Sequence, residues 1–288
     1  IHKIKTSLLG GSIFFICLNI YFLFDYIYFK KFINFSYISL ILSFSLIFII
    51  GIIDDKKDLK ALIKSICFIF IILLSVIPNE NLVIQNLKFS FLENDIVLNN
   101  FSFFFTVFCI FLFINAFNMY DGINGQAGLY LIIFFSYFFY RGILNEMSLF
   151  LIICGIFFIY LNLKNKLFLG DNGSLLISLL ISIVVIKSYN ENLIKSCDEI
   201  FILMMLPGID MARLFIERIL KKKNPLSADG NHLHHILLKK FRLNNVILIN
   251  LSLVLIPLIC YILGIESIII ISLFLILYLF IFIKLKIN

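Results

Sequence analysis

Apolar residues in this chain fall into runs of membrane length, and polar residues gather in the short breaks between them. Ten runs stand out, at about 12–28, 34–53, 61–78, 102–118, 126–141, 147–163, 173–189, 199–217, 246–264 and 266–284. Each approaches the roughly 20 residues a helix needs to cross a bilayer. The pattern predicts an all-α fold, a polytopic membrane helix bundle of about ten spans with both chain ends on one side. One break is longer. Residues 79–100, "NENLVIQNLKFSFLENDIVLNN", alternate apolar and polar positions in part, which predicts a short hairpin outside the membrane. No internal repeat is visible, so 1–288 reads as a single integral-membrane domain.

Composition agrees with this pattern. The chain is 62% hydrophobic and 14% charged, whereas soluble domains run at about 45–50% and about 25%. The net charge of +7 is resolved by topology. Only Lys30, Lys31, Lys88, Arg141, Lys187 and Lys195 fall on one side, which leaves 18 of the 24 basic residues on the other. The basic side is the cytoplasmic one, so the charge marks orientation and gives no reason to expect nucleic acid as a partner. The six cysteines stand at 17, 67, 109, 154, 197 and 260, five of them inside apolar runs and none in a CxxC pair. That usage fits small buried hydrophobes, without a disulfide framework or structural zinc.

The acids carry the chemistry. Asp54, Asp55 and Asp58 follow the second run in "GIIDDKKDL"; Asn115, Asn118 and Asp121 close the fourth in "NAFNMYDGING"; Asp171 follows the sixth in "FLGDNGS". Asp210 lies in "LPGID", and Asp229, His232, His234 and His235 lie in "ADGNHLHH". All fall on the side assigned as cytoplasmic from Lys and Arg alone. Carboxylates clustered at a membrane face repel one another unless a cation intervenes. An all-oxygen donor set favours Mg²⁺, with Mn²⁺ the alternative. Mg²⁺ is commonly held by one or two carboxylates, with substrate phosphates and water completing its shell, so these acids predict a phosphate-bearing substrate. Asn115, Asn118 and Asp121 are three apart on one helix face. The glycines around Asp171 predict a turn into a helix N-terminus, a natural anion site. Phe168 stands where a ring could stack on a base. "ADGNHLHHILLKKFRL" predicts an interfacial amphipathic helix with Leu233, Ile236, Leu237 and Phe241 on one side and His232, His235 and Lys239 on the other. Arg218 and Lys221 to Lys223 offer donors to phosphate oxygens. Pro207 and Gly208 leave two options at Asp210: a broken helix lining a cavity, or a simple pair with Arg213.

In order and separation, the four blocks "GIIDDKKDL", "NAFNMYDGING", "FLGDNGSLLI" and "ADGNHLHH" resemble the polyprenyl-phosphate N-acetylhexosamine-1-phosphate transferases of glycosyltransferase family 4. The likeness is greatest to the initiating undecaprenyl-phosphate N-acetylglucosamine-1-phosphate transferases, with phospho-N-acetylmuramoyl-pentapeptide translocase more distant. The resemblance implies transfer of a sugar 1-phosphate from a UDP-N-acetylhexosamine to polyprenyl phosphate, giving UMP, at the cytoplasmic face of a bacterial inner membrane. It implies Mg²⁺ held at Asp171, with Asp121 a further metal position. It places Asp54 and Asp55 as an essential acidic pair and His232, His234 and His235 near the diphosphate. It puts Lys3, Lys64, Asn118 and Asp121 at substrate and Phe168 on the uracil. Asn115 and Arg218 join that binding set from their spacing and charge. The expected partners are the UDP-sugar, the lipid phosphate and the bilayer, with a homodimer left open. The resemblance also implies one further span upstream of Ile1 and hence eleven in the full-length chain. Asn124 and Gly230 depart from the family pattern, which often has Asp and Arg there, and Ser7 stands near the place of a usual Pro. Two other classes compete. An ion-coupled transporter would want midplane charges and repeated halves, and a histidine-box metalloenzyme would want several His clusters.

Overall fold

The structure is a computed structural model that describes residues 9–29, 34–224 and 230–287. Eleven helices follow one another: α1 (Gly10–Phe29), α2 (Phe35–Lys57), α3 (Ala61–Val76), α4 (Ser102–Tyr120), α5 (Gln126–Tyr140), α6 (Asn145–Leu163), α7 (Gly170–Asn190), α8 (Cys197–Leu220), α9 (Leu233–Leu238), α10 (Leu243–Ile262) and α11 (Ser267–Ile287). A helix stands at each of the ten predicted runs. Seven are long and apolar enough to cross a membrane by length and composition; α3 and α5 are shorter, with 16 and 15 residues, and α8 carries six charged residues. Large apolar side chains such as Ile16, Leu23, Leu273 and Ile276 face outward on α1 and α11. Water would not tolerate such a surface and lipid would. The chain is an all-α, multi-pass membrane protein.

The axis of the bundle is α7, buried without interruption from Asn172 to Ile186 and packed against α1, α2 and α4. Lipid supplies little hydrophobic drive between helices, so close packing of small residues has to hold them together. The sequence provides those residues at the end where α7 begins. A Cβ on Gly51 of α2 would lie 2.2 Å from the Cα of Asn172, and one on Gly11 of α1 would lie 2.6 Å from the Cα of Gly173. The start of α1 also hydrogen-bonds to the segment entering α7, Gly10 N to Phe168 O at 2.9 Å and Gly11 N to Leu169 O at 3.1 Å. Gly51→Ala should therefore push α2 off α7 and cost about 1–3 kcal/mol, read as a lowered midpoint in reversible SDS unfolding. A variant as stable as the wild type would mean that the crossing has slack.

The predicted hairpin is present in miniature. Strands β1 (Asn86–Leu87) and β2 (Ile96–Val97) pair antiparallel, Asn86 opposite Val97 and Leu87 opposite Ile96. Tyr189, at the far end of α7, holds β1: its hydroxyl accepts from Lys88 N at 2.8 Å and donates to Asn86 O at 2.9 Å. From Asp171 to Tyr189 the helix runs about 27 Å at 1.5 Å per residue, so hairpin and acids stand at opposite ends of the bundle. Buried Glu199 ties that hairpin end together, accepting from Tyr137 at 2.7 Å, Arg141 at 2.6 Å and Tyr261 at 3.1 Å.

Two local expectations are corrected, and one choice between two options is decided. Asp54 and Asp55, which lie beyond the predicted run at 34–53, belong to the last turn of α2, closed by Asp58 at φ 50°, while Asp171 stands in the first turn of α7 as its glycines predicted. Helix α8 runs unbroken through Pro207, and of the two options at Asp210 the pair with Arg213 holds, at 2.8 Å. The amphipathic helix shrinks to the six residues of α9, and His232 and His234 are buried alongside Leu233 and Leu237. On the predicted polar side His232 is buried, His235 half-buried and Lys239 exposed.

Candidate active site

At the end of the bundle opposite the hairpin, α2, α3, α4 and α7 converge, and Lys64 stands at the centre. Its Nζ forms a close ion pair with Asp54 Oδ2 and lies 3.2 Å from Asp171 Oδ2. Asp54 is 5% exposed, so its charge is held by that ammonium and by Leu59 N, which donates to Oδ1 at 2.9 Å. Asn118 completes the ring. With its amide nitrogen turned toward the acids it donates to Asp171 Oδ1 at 2.9 Å and to Ser174 Oγ at 2.6 Å, while its oxygen accepts from Lys64 Nζ at 3.2 Å.

Asp55 has a different task. Leu169, the residue preceding α7, offers no side-chain cap, and the first amides of a helix need acceptors. Asp55, 116 residues earlier, provides them: Oδ1 accepts from Asp171 N at 2.8 Å, and Oδ2 accepts from Asn172 N at 3.2 Å and from the Asn172 side chain. A carboxylate here also meets the positive end of the α7 dipole. Gly170 allows the approach, with φ +70° and a would-be Cβ 2.8 Å from Asp55 Oδ2. The aspartate pair is thus divided: Asp54 holds Lys64, and Asp55 fixes the turn that carries Asp171.

Asp121 ends α4. Its carboxylate makes no hydrogen bond to a described residue, and burial together with the charges of Asp171 and Asp55 pushes its carboxyl up to about 8. An acid left unpartnered among other acids fits a cation, and the donor set is all oxygen. Among the described residues no three His, Cys, Asp or Glu side chains are disposed to hold a metal ion by themselves.

The histidines dock on the same mouth. Gly122 follows Asp121, and a Cβ there would lie 1.8 Å from His234 Nε2, so only glycine lets the ring seat. His234 Nε2 is buried without a hydrogen-bond partner among the described residues. The rings of His232 and His235 lie 5.4 and 4.3 Å from that of His234. Burial, with His235 and His232 beside it, pushes the His234 imidazole down from 6.5 to about 3. The unfolded chain takes up this proton near 6.5 and the folded protein refuses it until about 3. The stability tied to His234 is therefore complete above about pH 6.5 and falls with acidification below it, by at most about 1.4 kcal/mol per pH unit. Unfolding midpoints should decline from about pH 7 to about pH 4, and His234→Gln should flatten that decline. An unchanged slope would mean that the ring is not held neutral.

Other expected positions fall as follows. Asn115 gives its amide to Phe111 O in its own helix at 2.8 Å and shares no hydrogen bond with the cluster. Phe168 precedes Gly170 and is half-buried, and Arg218 is buried in α8. Asn124 donates to Asn165 at 2.6 Å, and Gly230 has open space around it. Lys3, Ser7 and Asp229 lie outside the described residues. Sequence reasoning missed Ser174, although its i+3 spacing from Asp171 put it on the same face. It also missed Tyr278, which sits in an apolar run and gives no signal.

The fold and this site define a polytopic membrane protein with a polar, acid-lined centre at one mouth of its helix bundle. Residues 37–189, more than half of the chain, match glycosyl transferase family 4, and the chain belongs to that family. The matched segment holds Asp54, Asp55, Lys64, Asn118, Asp121 and Asp171. Over 203 residues the chain is 27% identical to an undecaprenyl-phosphate alpha-N-acetylglucosaminyl 1-phosphate transferase of Escherichia coli O157:H7, covering 66% of this chain and 55% of the relative. A Yersinia pestis protein of the same name is 29% identical over 209 residues, 67% of this chain and 56% of its own. A probable undecaprenyl-phosphate N-acetylglucosaminyl 1-phosphate transferase of Bacillus subtilis is 28% identical over 239 residues, 79% and 64%. The chain thus spans little more than half the length of the first two relatives.

Proposed function

We propose that this protein transfers N-acetylglucosamine 1-phosphate from the UDP-sugar to undecaprenyl phosphate, releasing UMP, at the cytoplasmic face of a bacterial inner membrane. The observation that carries this reading is the meeting of Asp54 and Asp171 on the one ammonium of Lys64, beside Asn118. A phosphate of the lipid attacks the β-phosphorus of the nucleotide sugar; the new P–O bond forms as the bond to the UMP oxygen breaks. The attacking phosphate is largely ionised at neutral pH, so alignment and charge neutralisation carry the rate.

Asp171 and Asp121 would hold Mg²⁺, or Mn²⁺, which when bound neutralises the diphosphate charge. Lys64 faces the same charge from the other side while keeping Asp54 compensated. Asp55 holds the α7 turn so that Asp171 cannot swing away, and Asn118 orients Asp171. Phe168 stacks on the uracil, Arg218 and Lys3 meet phosphate, and the histidines border the diphosphate. The full-length protein in washed membranes tests the reading. With polyprenyl phosphate, Mg²⁺ and a panel of UDP-N-acetylhexosamines, UMP should appear with UDP-N-acetylglucosamine and stop on EDTA or on omission of the lipid. UMP release indifferent to the lipid, or absent with every sugar, would overturn it.

A further inference from the structure

The histidine motif is anchored to Asp210 in the middle of α8. The Asp210 carboxylate is buried, and five contacts meet it. Oδ1 accepts from Arg213 Nη2 at 2.8 Å, from the Tyr278 hydroxyl at 2.7 Å and from Leu233 N at 3.2 Å. Oδ2 lies 3.2 Å from His232 Nδ1 and 3.4 Å from Leu233 N. Arg213 closes the network, donating from Nε to the Tyr278 oxygen at 2.9 Å and from Nη2 to Asn231 O at 2.7 Å, with its guanidinium 4.3 Å from the centre of the Phe282 ring. Arginine, the tyrosine hydroxyl and the backbone N–H all donate. Asp210 is therefore ionised and has no proton to give, so the hydrogen between it and His232 belongs to Nδ1. With its one proton on Nδ1 the ring has its lone pair on Nε2, and no hydrogen bond joins that nitrogen to any described residue.

We propose that Asp210 is a positioning residue: it locks His232 as the Nδ1–H tautomer and so presents Nε2, at the mouth where the acids converge, to take the proton that the monoanionic fraction of the lipid phosphate still carries before its oxygen attacks. Locking one nitrogen to define the other is a general device of acid–base sites. Placing it here rests on the proposed transferase reaction. The route to the mouth is structural: His232 stacks on His234 with ring planes 10° apart, and His234 seats on Gly122 beside Asp121.

Asp210→Asn is the informative variant. An asparagine at 210 has one oxygen and one NH₂ group. Three donors crowd the Oδ1 position, so the oxygen must stay there and the NH₂ must face His232. Nδ1 is then forced to accept, and the proton moves to Nε2. Nitrogen-15 NMR of histidine-labelled full-length protein reads this directly; the chain has four histidines, and the His232 signal is identified by its loss in His232→Gln. The expected result is a bare Nε2 in the wild type and a protonated Nε2 in Asp210→Asn. Tyr278→Phe removes one donor without touching His232 and should keep the wild-type tautomer. In the transferase assay kcat should drop about tenfold or more in Asp210→Asn, while KM for the UDP-sugar moves less than about twofold. An unchanged tautomer in Asp210→Asn overturns the proposal, as does an equal change in Tyr278→Phe or a loss confined to KM. If wild-type protein released no UMP, the transferase reading would fall, and the tautomer measurement would still decide the role of Asp210.

Discussion

Asp171→Asn should lower UMP release by at least about a thousandfold, the scale set by losing a preorganised charge in a transferase site. The substitution keeps the shape of the side chain. The α7 amides that bind Asp55 belong to the backbone at 171 and to Asn172, so the turn should hold. What disappears is the anion facing Lys64 and the Asn118 amide. An asparagine NH₂ group in that place would point a donor at donors and could not serve as a metal ligand. Membrane assays at matched protein levels, with the unfolding midpoint measured alongside, separate lost chemistry from lost folding. Wild-type turnover in this variant would remove Asp171 from the reaction.

Lys64→Met should be the most destabilising single change in the site. It leaves the buried Asp54 carboxylate beside that of Asp171, with the Leu59 N–H as its remaining backbone donor among the described residues. Breaking a buried pair from one side costs about 3–5 kcal/mol. Asp54→Asn should cost less, because Lys64 keeps Asp171 as a partner. The double variant should recover most of the Lys64→Met loss, since the buried Asp54 charge is gone and the more exposed Asp171 keeps the Asn118 amide. Reversible SDS unfolding of the three variants gives the coupling directly. Additive losses would mean that the ion pair contributes little and that Asp54 is compensated in another way.

Much of the site was legible in the chain because its acids could not be anywhere else. A carboxylate is costly inside hydrocarbon, so Asp54, Asp55, Asp121 and Asp171 had to fall at the ends of apolar runs, and the Lys and Arg bias placed those ends on one face. Helical spacing put Asn118 and Asp121 together. The same logic failed at the division of labour within "DD". Adjacent residues on a helix point about 100° apart, and only the crossing of α2 with α7 shows that Asp55 meets amides while Asp54 meets Lys64. It failed again at the histidines. Their spacing suggested a wet polar side, but the segment folds back on Gly122 and Asp210, residues far away in sequence.

The sequence by itself determined the class of fold, the places of the ten long helices and the end of the bundle that bears the polar chemistry. These follow from hydropathy, length and charge, which act residue by residue against the bilayer. The tertiary structure alone decided which acid pairs with which partner, that an aspartate 116 residues away caps α7, and that Asp210 holds His232. Those contacts depend on Å-scale approach between helices, permitted at Gly51, Gly11 and Gly122 by the absence of a side chain, and no pattern within a single helix encodes which neighbour will fill that space.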